Sequence, residues 1–168
     1  MSVPSASATI QAVDPNFCIA SWRQVFAVIW RHETTMAGVL ALRSTFSAFV
    51  ATNPAVRLLT IVEARAPLPT AQVRQGLADF LGQQGAHIKR SAVVFEGEGF
   101  RAAAVRGVVT GLTMLARPPY PHKIFGKLSD ASVWLSSDSA DTSVIEPQQI
   151  VRVLGELRAS LEPAARTG

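Results

Sequence analysis

A single cysteine, Cys18, stands in a chain of 168 residues, so no internal disulfide can form. That sets the chain apart from small disulfide-stapled secreted domains. It also rules out a thiolate cluster, because a structural zinc site needs three or four converging ligands. Cys18 falls inside an apolar run, where such a residue reads as a small buried hydrophobe, and a reducing compartment fits it. Charge is sparse as well. Only 17% of residues are Asp, Glu, Lys or Arg while 48% are apolar, which is the balance of a packed domain rather than a disordered chain. No apolar run reaches the roughly 18 residues of a membrane span. The opening MSVPSASATIQAV has neither the basic start nor the sustained apolar stretch of a signal peptide. These readings place the protein in the cytoplasm with no membrane span.

Catalytic signatures are missing too. No serine sits in a nucleophile-elbow pattern. His32, His87 and His122 lie at separate element edges, with no second ligand at metal-binding spacing. No metal and no cofactor is expected. Catalytic triads are defined by geometry rather than by spacing, so an enzyme remains the third-ranked reading. It would need a pocket converging on Glu63, Arg65 and His87 or His122.

The net charge is +4, but the arginines are spread over different elements and only Lys89-Arg90 are adjacent. This is a solvated basic surface rather than a nucleic-acid footprint, and no nucleic-acid partner is expected. Gly97-Glu98-Gly99-Phe100-Arg101-Ala102 has the spacing of a dinucleotide fingerprint between a strand and a helix. Glu96 and Glu98 would place negative charge where a pyrophosphate should sit, so the segment reads as a loop.

Hydrophobic periodicity gives the architecture. Residues 1–14 are Ser/Ala-rich and read as a loose arm. Phe17–Trp22 and Val25–Trp30 form a β-hairpin turning at Arg23-Gln24. Thr34 and Thr35 cap a helix with Val39, Leu42, Phe46 and Phe49 on one face, and Asn53-Pro54 ends it. Residues 56–63 are a central strand, followed by a loop with Pro67 and Pro69. Thr70 caps a second helix carrying Val73, Leu77, Phe80 and Leu81. Residues 88–95 are the next strand. A third helix over 100–116 presents Ala104, Val108, Leu112 and Leu115, and Gly107 and Gly111 serve close packing on the sheet. The last strand, near 124–128, leads through a Ser129-Asp130 cap to a short helix at Trp134. Trp22, Trp30 and Trp134 are packing residues. After a polar linker, 137–145, a helix over 146–162 has an apolar seam of Ile150, Leu154, Leu157 and Leu161. That seam either docks on its own sheet or forms a homodimer.

The order β-β-α-β-α-β-α-β-α plus one appended helix defines an α/β fold, with a mixed, partly parallel sheet of about five strands. Together with the closing Phe125…Asp130-Ala131…Trp134-Leu135, this order over residues 15–136 resembles the SpoIIAA-like fold of STAS domains. The resemblance implies a non-enzymatic regulatory module of a bacterial cell, acting through a protein partner. Some relatives of the fold instead handle small apolar or lipid ligands, here between the sheet and the helices bearing Phe46, Phe80 and Val108. Antagonists of this family carry an Asp-x-Ser-Gly phosphorylation segment. The matching stretch, residues 61–70, has none, and leaves Thr70 as the candidate phosphorylated hydroxyl. The resemblance implies a partner-binding surface over 63–74, comprising Glu63, Arg65, Leu68, Thr70 and Arg74.

Overall fold

The computed structural model describes residues 7–137 and 144–162. Its six-stranded sheet runs in sequence order, β1 Thr9–Val13, β2 Phe17–Trp22, β3 Val25–Trp30, β4 Val56–Val62, β5 Ile88–Phe95 and β6 His122–Phe125. The first three strands pair antiparallel and the last three join β3 in parallel. The mixed α/β sheet with a C-terminal helix is as expected. The sixth strand is the difference. Residues 9–13, read as loose arm, pair with β2 as an edge strand with a register shift between Ile10 and Ala12.

The turn between β2 and β3 is tight because Arg23 adopts a left-handed backbone, φ 52°, a conformation that costs a non-glycine residue some strain. Each later parallel strand is added on the same side of the last. Right-handed crossovers therefore put α1 Met36–Val50, α2 Ala71–Gln83 and α3 Gly99–Ala116 on one sheet face. Two helices, α4 Leu128–Ser136 and α5 Pro147–Leu161, cover the opposite face. Alternation along the strands divides the core accordingly: Ala27, Ile29, Leu59 and Ile61 meet α4 and α5, whereas Phe26, Val28 and Leu58 meet α1 and α2.

Local chemistry sets the helix starts. Thr35 Oγ1 accepts from the Gly38 amide at 3.0 Å, and Thr70 Oγ1 accepts from the Val73 amide at 3.4 Å. The Ser129-Asp130 cap does not form. The N-cap of α4 is Lys127, without a side-chain bond, and Asp130 lies inside the first turn. There its charge still complements the helix dipole.

The phase of α3 also differs from the sequence reading. Val105, Val109 and Leu112 are buried, while Leu115 is exposed. A methyl group on Gly107 or Gly111 would meet nothing within 4 Å, so these glycines face outward and do not serve sheet packing. The seam on α5 docks on its own sheet. Ile150, Leu154 and Leu157 are buried there together with Val153, Leu161 packs at the margin, and these side chains are not open to a second copy. The linker stretch 138–143 lies outside the described residues.

Candidate functional site

The face of the sheet under α1, α2 and α3 carries two separate apolar clusters. One joins α1 and α2 to β2–β4, centred on Phe26, Phe46 and Phe80. The other joins α3 to β5 through Val93, Phe95, Val105 and Val109. A cavity of about 80 Å³ lies between them, larger than a single water requires. Its walls are Val28, Trp30, Leu58 and Val93 from the sheet, Leu77 and Phe80 from α2, and Val105, Val108 and Leu112 from α3. Protein interiors normally close such gaps. Here Pro67 and Pro69 stiffen the β4–α2 loop, and Leu68 stands at the cavity wall while 48% exposed. Arg101 Nη2 donates to the Ala66 carbonyl at 2.7 Å, tying that loop to the first turn of α3.

Three polar residues interrupt the apolar lining: Thr34, Thr60 and His122. His122 Nδ1 shares a 2.9 Å hydrogen bond with Ser91 Oγ, and Ser91 is fully buried. The other ring nitrogen, Nε2, is buried without a hydrogen-bond partner among the described residues. Desolvation holds the imidazole pKa below its ordinary value, so the ring is neutral at pH 7. A neutral ring whose Nδ1 is engaged offers one donor or one acceptor at Nε2. The site can therefore hold an apolar body and make one hydrogen bond. Among the described residues, no Asp, Glu, Lys or Arg lines it.

The expected surface over 63–74 is divided by the structure. Glu63 Oε1 lies 3.3 Å from Arg158 Nη2 and 3.9 Å from Arg31 Nε. Arg158 also grips Glu96 at 2.6 and 2.7 Å, which closes the carboxyl edge of β4 and β5 with the end of α5. Glu63 is thus part of an internal ion cluster. Arg65 is exposed, Leu68 lines the cavity, Thr70 is a helix cap, and Arg74 borders a groove along α3. Of the ligand-lining residues expected, Phe80 and Val108 are in the wall. Phe46 is not, because it is consumed in edge-to-face contacts with Phe26 and Phe80.

Of Glu63, Arg65, His87 and His122, only His122 lines the cavity. Cys18 is fully buried and desolvation pushes its thiol up to about 11. The glycine-rich loop before α3 is shaped by packing: a Cβ on Gly97 would lie 2.4 Å from the Phe95 ring, and Gly99 has φ +66°. Thr60, a polar residue inside the run VRLLTIV, is a cavity-lining residue that the sequence analysis missed.

Fold and site together define an α/β domain with an internal apolar cavity roofed by α2 and α3. No protein-family model, curated protein or solved structure matches the chain.

Proposed function

We propose that this protein is a non-catalytic binding module whose cavity takes a small, largely apolar ligand bearing one hydrogen-bonding group. The observation that carries this reading is the unfilled space between two otherwise well-packed clusters, with the unpartnered Nε2 of His122 on a residue of its wall. Burying a polar atom without a partner costs free energy that a ligand hydroxyl, carbonyl or protonated carboxyl would recover. The β4–α2 loop, with Leu68, is the natural entry.

A thermal-shift series with straight-chain alcohols and acids of increasing length tests this. Ligand at about one hundred times its dissociation constant should raise the melting temperature by roughly 5–10 °C for a domain of this size. Val108→Phe should abolish the shift by filling the space, and native mass spectrometry should show a one-to-one adduct. An apo mass throughout, with no shift at any chain length, would reject the reading.

A second reading follows from the exposed loop. The resemblance to SpoIIAA-like domains makes residues 63–74 a contact surface for a regulatory protein partner, with Arg65 and Leu68 facing outward. On that reading Arg65→Glu abolishes partner capture and leaves ligand-induced stabilisation by the longer alcohols in place.

A further inference from the structure

We infer that the outward face of α3 seats this protein on an anionic lipid surface. The face is apolar where a solvent-exposed helix is ordinarily polar. Phe100 is 89% exposed, Met114 73% and Leu115 64%. At 100° per residue, Phe100, Ala103, Gly107, Gly111 and Met114 fall within an arc of about 80°, directly opposite the buried Val105, Val109 and Leu112. The glycines keep this strip flat, since nothing stands within 4 Å of where their side chains would be.

Charge selects the occupant. Between Gly99 and Ala116 there is no Asp or Glu. Arg106 flanks one shoulder of the strip, Arg117 caps its C-terminal end, and Arg74 of α2 borders the groove along the other shoulder. None of these three arginines has a carboxylate partner among the described residues. The neighbouring acids are Glu98 at the helix N-cap, Glu96 held by Arg158, and Asp79 held by Arg43 and Gln75. Two copies packed face to face along α3 would set three arginines of each against one acid of each, Glu98, leaving positive charge without its counter-charge. Lipid phosphates supply that charge, while the acyl boundary takes Phe100, Met114 and Leu115. No helix of the described residues is long and apolar enough to cross a membrane. The contact is therefore a helix lying in the interface plane. Val108 and Leu112 line both this groove and the internal cavity, so the cavity roof faces the lipid. The vesicle experiment reads docking whether or not the cavity binds a ligand.

The test is co-sedimentation of the full chain with vesicles of equal parts phosphatidylglycerol and phosphatidylcholine, against phosphatidylcholine alone. Binding should be about tenfold or more stronger to the anionic vesicles. It should largely disappear in about 1 M NaCl, where the Debye length is about 3 Å. Arg106→Ala with Arg117→Ala should weaken it by roughly tenfold or more, and Met114→Glu should abolish it, with unchanged circular dichroism in each case. Protein that stays in the supernatant with anionic vesicles overturns the inference, as does equal binding to both compositions. Sedimentation equilibrium showing a dimer that Met114→Glu dissociates would also overturn it, assigning the face to a second copy.

Discussion

Gly38 and Gly107 both sit inside helices, where replacing glycine by alanine ordinarily stabilises by lowering backbone entropy in the unfolded chain. Their surroundings separate them. A Cβ on Gly38 would lie 2.4 Å from Trp30 Cζ3 and 3.0 Å from Phe17 Cδ1, and neither ring can move because both are buried under α1. Gly38→Ala should cost about 1–3 kcal/mol through overpacking. Gly107→Ala meets open space and should gain about 0.5–1 kcal/mol. Denaturant midpoints of the two variants should move in opposite directions, and a common sign would contradict the placement of one of them. His122 gives a second test at this scale. Its pKa in the folded state is depressed by desolvation below the ordinary 6.5. The unfolded chain therefore takes up the proton first as pH falls. Stability from this group is complete above about 6.5 and is lost in acid below it. His122→Asn should remove that part of the acid slope, so the stability difference between variant and parent should narrow between pH 7.5 and pH 5.

At the scale of elements, α5 is fastened at both ends of its contact with the sheet. Ile150, Val153, Leu154 and Leu157 are buried against β2–β5, and Arg158 closes on Glu96 and Glu63 at the strand termini. Hydrogen bonding to Glu96 raises the Arg158 pKa further, so the guanidinium keeps its charge. Arg158→Ala should destabilise by roughly 1–3 kcal/mol, because two carboxylates lose a charged donor at a half-buried site. Glu63→Gln should cost less, since Glu96 keeps its two contacts. Chemical denaturation of the two variants ranks them, and an Arg158→Ala variant as stable as the parent would mean the cluster is no more than a surface ornament. The same elements show what was legible beforehand. β2 through β5 and the caps of α1 and α2 follow from β-branched runs and from threonines placed before apolar stripes. The phase of α3 does not, because apolar residues surround that helix and two overlapping stripes, Ala104/Val108/Leu112/Leu115 and Val105/Val109/Leu112, both satisfy helical spacing. Val153 escaped a heptad reading of α5 because a helix on a sheet presents a wider face than a coiled-coil seam. The cavity was half legible: its helices could be named, but which side chains close the gap depends on how α2 and α3 tilt over β4 and β5.

For the molecule as a whole, the critical feature is how an open sheet with largely apolar inner strands avoids pairing with other sheets. Edges in such folds present free N–H and C=O groups, and natural proteins blunt them with short strands, lysines, prolines or bulges. β6 is only four residues long, follows Pro121 and carries exposed Lys123. At the other side β1 is five residues, largely exposed, and broken by a register shift beside Gln11. It covers β2, in which every residue from Phe17 to Trp22 is buried. The weak N-terminal strand, too irregular to be read from periodicity, therefore acts as a cover for an edge that is wholly buried. Deleting residues 1–13 should expose β2 and drive the chain into larger oligomers or aggregate. Deleting residues 1–6 keeps all of β1 and serves as the control. Size-exclusion chromatography with light scattering distinguishes the two, and thermal unfolding of the shorter chain should become irreversible. If the chain lacking residues 1–13 keeps the parent's oligomeric state and unfolds reversibly, then the hairpin of β2 and β3 protects itself, and the strain at Arg23, which sets the twist of that hairpin, becomes the feature to alter next.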